Sequence, residues 1–199
     1  MSENIFAHEH PESDRARGGG FTLWFTGLSG SGKTTIAHLV GPALDERGHV
    51  VEYLDGDTIR THLSKGLGFS KEDRDTNIER IGWVSSRITR HGGAAVVSAI
   101  SPYEETRETA RDMVEEYGTF VCVFVKASVD ECARRDVKGL YAKAFAGEIK
   151  EFTGVSDPYE APRSPDVHVR TEEESAAESA GRVMAELEAR GLVGRAVTA

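Results

Sequence analysis

The stretch that decides the fold of this chain is Gly27-Leu28-Ser29-Gly30-Ser31-Gly32-Lys33-Thr34. It fits the pattern GxxxxGK[ST], in which successive backbone N–H groups point inward and bind phosphate oxygens. In such a loop Lys33 reaches the β- and γ-phosphates of a nucleotide, and the Thr34 hydroxyl lies on Mg²⁺. The alternative is a glycine-rich turn that binds nothing, and the residues on either side decide between the two.

Both flanks of this P-loop favour phosphate binding. Residues 21–25 form a short apolar run, FTLWF, that is typical of a buried strand. Behind the loop, apolar residues follow at i, i+3, i+4, i+7 and i+8, which predicts the buried face of a helix: Ile36, Leu39, Val40, Ala43 and Leu44. The motif therefore lies between a strand and a helix, as phosphate binding requires.

Composition narrows the class of protein. The chain has 199 residues, of which 39% are apolar and 29% charged, and this predicts one globular domain with a real core. The net charge of −9 argues against a nucleic-acid-binding surface. No apolar run approaches the roughly 20 residues that span a bilayer, and the N-terminus has no apolar secretion signal. Cys122 and Cys132 have no zinc-ligand neighbours and are predicted to be reduced core residues. We therefore expect a cytoplasmic protein with neither nucleic acid nor a membrane as a partner.

Strand and helix patterns alternate along the chain. Strands are predicted at 21–26, 50–54, 94–99, 120–125 and 166–169, and helices at 33–47, 57–64, 71–91, 102–117, 129–136 and 172–190. This order predicts an α/β protein with a five-stranded parallel sheet, helices on both faces and ligands at the carboxyl ends of the strands. We expect residues 21–193 to form the domain, between a flexible tail at 1–20 and a C-terminal tail at 194–199. The excursion 137–165 lacks a convincing strand, and about 137–160 of it is predicted to be a lid.

Capping patterns predict where three of the helices begin. Ser70 precedes Asp73 by three residues, Ser101 precedes Glu104, and Thr171 precedes Glu174: Ser70, Ser101 and Thr171 are the predicted N-caps. For Ser101 this structural role competes with a direct contact to a ligand or acceptance of a phosphoryl group. Arg107 and Arg111, which follow on the same helix, are predicted to form surface ion pairs with Glu104 and Glu108.

Two carboxylates follow the second predicted strand, in Asp55-Gly56-Asp57, with Arg60 one turn later. Phosphoryl transfer needs a carboxylate that helps to hold Mg²⁺ or accepts the proton of the nucleophile, and Asp57 suits either task. The structural alternative is that Asp57 caps the helix that follows.

Further along, charged and aromatic side chains suit an anionic purine. Arg74 and Asn77 share one face of the third helix, where Arg offers a planar fork for phosphate or sulfate. Phe69 and Phe152 lie on separate loops and are able to clamp a purine between them. The alternatives are a hydrophobic staple for Phe69 and solvated ion pairs for the polar residues.

Together these stretches resemble the adenylylsulfate kinase family, whose members use ATP to phosphorylate the 3′-hydroxyl of adenosine 5′-phosphosulfate. The resemblance covers roughly residues 20–170. Its strings occur here in order: GLSGSGKTT, LDGD with IR, LGFSKEDR with NI and RIG, ISPY, RDVKGLY, AGEIK, FTG and DPYEAP. No sulfurylase domain follows the last helix, so the chain resembles the stand-alone form of the kinase, which is often dimeric.

The resemblance implies a role for each matching position. ATP and Mg²⁺ are the implied co-substrate and cofactor. The ATP phosphates are implied at Gly27, Leu28, Ser29, Gly30, Ser31, Gly32, Lys33, Thr34 and Thr35, with the metal at Thr34 and Asp57. Lys33 and Asp57 are the implied catalytic residues. The acceptor pocket is implied at Asp57, Arg60, Phe69, Arg74, Asn77, Ile100, Ser101, Lys138, Leu140 and Phe152. Some family members carry a phosphoserine at the position of Ser101.

Two positions depart from the family strings. Glu79 and Phe145 stand where arginines are usual, and the second of those arginines would lie near ATP. Two rival functions remain at this point: a kinase of the same fold acting on another nucleotide or sugar, and a nucleotide-binding module without catalysis. Lys33, Thr34 and Asp57 favour a catalyst.

Overall fold

The computed structural model describes residues 19–194. Almost all of the two predicted tails, 1–20 and 194–199, lies outside that range. Five parallel strands form one sheet in the order β2-β3-β1-β4-β5. The strands are β1 Phe21–Thr26, β2 Val51–Asp55, β3 Ala94–Ser98, β4 Thr119–Lys126 and β5 Val167–Arg170. The predicted five-stranded parallel sheet is confirmed, and each strand end agrees with its prediction within one residue.

Seven helices are described, one more than the sequence patterns predict. They are α1 Lys33–Asp45, α2 Gly56–His62, α3 Lys71–Arg90, α4 Glu104–Glu115, α5 Val129–Arg135, α6 Leu140–Phe145 and α7 Ala176–Ala189. The additional helix, α6, lies in the excursion predicted to be a lid. None of the described helices is long and apolar enough to cross a lipid bilayer.

Each face of the sheet carries its own apolar core. One core joins Phe21, Leu23 and Phe25 of β1 to α1 and α7. The other joins Trp24 of β1 to α3 and α4. The close packing of α3 on α4 depends on Gly82, because a Cβ built there would lie 2.8 Å from the Cβ of Ala110 and 2.9 Å from its Cα. The two layers leave the carboxyl edge of the sheet open for the loops that follow the strands.

Two of the three predicted N-caps are wrong. Ser70 does cap α3, since its Oγ accepts from the N–H of Asp73 at 3.2 Å. Helix α4 instead begins after Tyr103, because the Ser101 hydroxyl is turned to the Nε1 of Trp24, 3.1 Å away on β1. Helix α7 begins after Ser175, where Ser175 and Glu178 form a complete capping box.

The Thr171 hydroxyl, predicted to cap the last helix, donates to the carbonyl of Ser31 at 2.8 Å. It therefore fixes the end of β5 to the P-loop rather than starting a helix. Both predicted core cysteines, Cys122 and Cys132, are free and buried.

Candidate active site

The P-loop links β1 to α1 and has the backbone that its glycines permit. Gly27, Gly30 and Gly32 have φ values of 151°, 76° and 105°, a region that residues with a Cβ rarely occupy. A Cβ at Gly27 would also collide with the carbonyl oxygen of Val125 on the neighbouring strand. Gly32 precedes the first residue of α1, so the loop ends at a helix N-terminus, where free N–H groups favour an anion.

Lys33 is buried in this loop. Its ammonium donates to the carbonyl oxygens of Gly27 and Leu28, at 2.9 and 2.8 Å. Burial lowers the pKa of Lys33 from 10.5 to about 8, against the opposing effect of the nearby Asp55 and Asp57 carboxylates. A polyphosphate placed in the loop would restore the stability of the charged form.

The carboxylate beside the P-loop hydroxyl is Asp55, not Asp57. The Thr34 hydroxyl donates to Oδ2 of Asp55 at 3.0 Å, and Oδ1 of Asp55 accepts from the N–H of Asp57, also at 3.0 Å. Asp55 is thereby the N-cap of α2, and the alternative in which Asp57 caps this helix is wrong. The position of Asp55 as the last residue of β2 was the signal in the sequence, since side chains at strand ends lie nearest to the ligand.

Asp57 projects from the first turn of α2 and forms an ion pair with Lys138 from the excursion. Both side chains are well exposed, at 73% for Asp57 and 57% for Lys138. The pair joins two residues that are separated by 81 positions in the sequence and that the prediction assigned to the same pocket. An exposed carboxylate that a neighbouring cation holds in place is suited to accept a proton from a hydroxyl group.

Arg60 and Phe69 form a second pair. The guanidinium carbon of Arg60 lies 4.5 Å from the centroid of the Phe69 ring, which is 60% exposed. Burial, together with the positive charge of Arg74, lowers the pKa of Arg60, although an arginine remains protonated at any physiological pH.

Arg74 and Asn77 are buried on one face of α3, as their spacing predicts. The Arg74 guanidinium reaches the excursion, where it donates to Oγ1 of Thr153 at 2.8 Å and to the carbonyl of Glu151, and pairs with Asp157 at 3.0 Å. The buried Oδ1 of Asn77 has no hydrogen-bond partner. An unpaired buried acceptor is costly, and a ligand donor would relieve that cost.

Ile100 and Ser101 follow β3. The carbonyl of Ile100 accepts from Oγ1 of Thr26 at 2.7 Å, and Ser101 is 1% exposed with a φ of 41°. Arg107, predicted to lie on the surface, is 3% exposed and donates to the carbonyls of Ser101 and Glu160. Arg107 does form the predicted ion pair with Glu104, and Arg111 forms the predicted pair with Glu108 at 3.7 Å. Only the predicted surface position of Arg107 is wrong, because the turn at Glu160 folds over it from the distant excursion.

The excursion and the helix α5 before it pack on the P-loop through aromatic and basic side chains. The Tyr141 hydroxyl donates to the carbonyl of Ser29 at 3.0 Å, and the Phe152 ring meets the Tyr141 ring edge-on at 4.9 Å between centroids. Leu140, the first residue of α6, is half-buried. Nη1 of Arg135 donates to the carbonyls of Gly30 and Ser31 and to Oγ1 of Thr171, at 3.2, 3.3 and 3.0 Å. The sequence patterns do not predict this bridge between α5, the P-loop and the end of β5.

The donor set beside the P-loop fits Mg²⁺ only when nucleotide is present. Among residues 19–194, no three His, Cys, Asp or Glu side chains are grouped closely enough to hold a metal ion. In phosphoryl-transfer sites Mg²⁺ takes one or two carboxylates and completes its shell with phosphate oxygens and water. Asp55 beside the Thr34 hydroxyl matches that requirement.

Comparison with known proteins agrees with this geometry. A family model described as adenylylsulphate kinase matches residues 19–170. The chain belongs to the adenylylsulphate kinase family. An adenylyl-sulfate kinase of Picosynechococcus sp. is 57% identical over 174 residues, which are 87% of this chain and 97% of that protein.

Solved structures of adenylylsulphate kinases have the same fold. An APS kinase of Mycobacterium tuberculosis in complex with AMPPNP and APS is 44% identical and aligns with a TM-score of 0.82, over 85% of this chain and 98% of that chain. A hexameric APS kinase from Thiobacillus denitrificans is 36% identical, with a TM-score of 0.68, over 88% of this chain and 30% of that chain. The two side chains that stand where the family strings usually have arginine are both exposed: Glu79 on α3, and Phe145 on α6, which is 60% exposed.

Proposed function

We propose that this chain transfers the γ-phosphoryl group of MgATP to the 3′-hydroxyl of adenosine 5′-phosphosulfate, giving 3′-phosphoadenosine 5′-phosphosulfate and ADP. The observation that carries the proposal is the meeting of two sets of residues at one edge of the sheet. A phosphate loop with a buried lysine lies on one side, and the exposed Asp57 carboxylate, paired with Lys138, lies on the other.

The donor half of the site is formed by the P-loop. The backbone N–H groups of residues 27–35 and the Lys33 ammonium bind the phosphates and neutralise charge as it moves to the leaving oxygen. Thr34 and Asp55 would hold Mg²⁺ together with the phosphates, which the 3.0 Å hydrogen bond between their side chains supports. The family resemblance implies Asp57 as a metal ligand beside Thr34. The ion pair of Asp57 with Lys138 favours a role at the acceptor instead. When bound, Mg²⁺ polarises the phosphoryl group and offsets its negative charge.

The acceptor half lies between α2, α3 and the excursion. Asp57 accepts the proton of the 3′-hydroxyl as that oxygen attacks in line, and Lys138 holds the carboxylate in place. Arg60, Arg74 and Asn77 bind the phosphosulfate and ribose, which is consistent with the unpaired Oδ1 of Asn77. The remaining acceptor contacts come from aromatic and small side chains: Phe69, Phe152, Ile100, Ser101 and Leu140.

The segment at about 137–160 acts as a lid in this proposal. A hydrogen bond of Tyr141 joins the lid to the P-loop, and a hydrogen bond of Arg74 joins it to α3. The elements proposed to bind the two substrates therefore both contact the lid. Closure over both substrates excludes water and limits wasteful hydrolysis of ATP.

Three further properties belong to the same proposal. Modification of Ser101 would require its loop to open, because the hydroxyl is buried against Trp24. A homodimer is supported by Trp83 on α3, which is 59% exposed, because tryptophan is enriched in protein interfaces. Light scattering after size-exclusion chromatography tests the oligomeric state. A cytoplasmic location is supported by two free cysteines.

The decisive experiment measures ADP release from MgATP with adenosine 5′-phosphosulfate, AMP and small sugars as acceptors. Turnover restricted to the phosphosulfate supports the proposal, provided that Lys33→Ala abolishes it while the variant stays folded by circular dichroism. Turnover with a different acceptor would keep phosphoryl transfer and overturn the assignment of the Arg74 and Asn77 pocket. ATP binding without turnover on any acceptor would favour the non-catalytic module.

A further inference from the structure

Phe69 lies near the end of the segment 63–70, which links α2 to α3, and outside the apolar cores. The Phe69 side chain is 60% exposed, so packing alone does not fix the direction of its ring. The peptide groups before it are fixed instead. The N–H of Gly68 donates to Oδ2 of Asp73 at 2.8 Å, and the carbonyl of Gly68 accepts from Nη1 of Arg60 at 2.8 Å.

Asp73 lies three residues after the N-cap of α3 but does not complete the capping box with it. Its own N–H donates to Oγ of Ser70, as in a capping box. In a complete box its side chain would return to the N–H of the capping residue itself. The Asp73 carboxylate passes that N–H and bonds to Gly68 instead. This bond has a charged acceptor, and such bonds are roughly twice as strong as neutral ones. The first turn of α3 is therefore fastened to the residue that precedes Phe69.

Arg60 determines which face of the Phe69 ring is open. Its guanidinium carbon lies 4.5 Å from the ring centroid and covers one face. A cation at this distance is attracted to the π-electrons of the ring, so the arrangement is favourable without a ligand. The opposite face is left for a second flat group.

We propose that Asp73 is a positioning residue for the purine of the acceptor, acting through the Gly68 peptide on the Phe69 ring. Arg60 supports the covered face of the ring, and the purine stacks on the other. Asp73 itself does not contact substrate. The inference rests on the proposed function in one respect: it takes the acceptor to be a purine nucleotide.

The test compares Asp73→Ala and Asp73→Asn with Glu72→Ala. Glu72 is a matched control, because it is exposed, lies in the same first turn of α3 and carries the same charge toward the helix dipole. Both Asp73 variants should raise the KM for adenosine 5′-phosphosulfate by about 5- to 50-fold, within the range that loss of a base–aromatic stack gives. The KM for ATP and kcat at saturation should stay within about twofold of wild type, since Asp73 lies outside the donor half.

A second cycle separates positioning from helix stability. On a Phe69→Ala background, Asp73→Ala should raise the acceptor KM by less than about twofold, because the ring through which it acts is gone. A full additional loss on that background would overturn the inference. Equal acceptor KM values for Asp73→Ala, Asp73→Asn and Glu72→Ala in the otherwise wild-type chain would also overturn it.

The failure of this inference and the failure of the proposed function are distinguishable. If wild type does not turn over the phosphosulfate, the proposed function fails, and the four proteins are titrated with AMP by calorimetry. AMP has the same purine and a 5′-phosphate. Weaker AMP binding by the Asp73 variants than by Glu72→Ala would still support the positioning role, and equal binding would refute it.

Discussion

Lys33 is a buried ammonium that donates to two carbonyl oxygens of its own loop, and burial lowers its pKa to about 8. The charged form is therefore present below about pH 8 and is lost above it. Because kcat/KM reports the free enzyme, kcat/KM for ATP should fall through that pH, about tenfold per unit beyond it. With ATP bound, the phosphates raise the pKa of Lys33, so kcat at saturation should remain flat to higher pH.

The matched control for this pH profile is Lys33→Arg. An arginine keeps its charge at every pH used, so the variant loses activity through altered geometry but should show no decline in kcat/KM for ATP above pH 8. If wild type and Lys33→Arg decline in parallel, Lys33 is not the group that titrates.

Asp57 and Asp55 are two residues apart and have different neighbours, and their variants should fail in different ways. Asp57→Asn should lower kcat by about 100- to 10,000-fold, the usual contribution of a general base, with little change in the acceptor KM. Asp55→Asn keeps a residue that caps α2 well, and its defect should be partly relieved by higher Mg²⁺. Initial rates over a range of Mg²⁺ concentrations make the comparison. An effect of Asp57→Asn confined to KM would remove Asp57 from the chemistry.

At the scale of elements, the sequence predicts what depends on neighbours along the chain. The central strands β1, β3 and β4 were found because their apolar runs are nearly continuous, and Ser70 was found to cap α3 because its partner Asp73 is three residues away. The starts of α4 and α7 were missed because Ser101 and Thr171 bond to side chains and carbonyls more than 70 residues distant. The candidate site follows the same division.

The P-loop and the strand ends were predictable at the site because local backbone determines them. The contacts of Arg74 and Arg107 with turns of the excursion were not, because no periodicity records which loop folds over a helix. Helix α6 was missed for a related reason. Its six residues are too few for a repeat, and the Asp136 carboxylate that accepts from the N–H groups of Tyr141 and Ala142 is not in a standard capping position.

The excursion contacts both halves of the proposed site. Tyr141 bonds to the P-loop and Phe152 belongs to the proposed acceptor pocket, so variants of these two residues test the two contacts separately. Tyr141→Phe removes the hydrogen bond to the P-loop carbonyl of Ser29 but keeps the ring that packs on Phe152. It should raise the KM for ATP by about 2- to 10-fold, the value of one hydrogen bond, and leave the acceptor KM unchanged. Phe152→Ala should do the opposite, raising the acceptor KM by about 5- to 150-fold. Both KM values for each variant make the test, and the same pattern in the two variants would contradict separate attachments.

At the scale of the whole molecule, stability depends on two helix layers that pack on opposite faces of one sheet, and two glycines compare them. Gly82→Ala adds a methyl group to the α3–α4 contact, 2.8 and 2.9 Å from atoms of Ala110. Overpacking costs about 1–3 kcal/mol, and the backbone Cα of Ala110 cannot yield alone, so this cost should exceed the gain in helix propensity. Gly181→Ala is the same exchange inside α7, where nothing lies within 4 Å of the new Cβ, and it should stabilise the protein by about 0.5–1 kcal/mol. Thermal unfolding should therefore show a lower Tm for the first variant and a Tm higher by about 1–4 °C for the second.

Since α3 also carries Arg74 and Asn77, only Gly82→Ala should raise the acceptor KM. If Gly82→Ala raises Tm as Gly181→Ala does, helix propensity outweighs packing between α3 and α4, and the close approach at Gly82 does not limit stability.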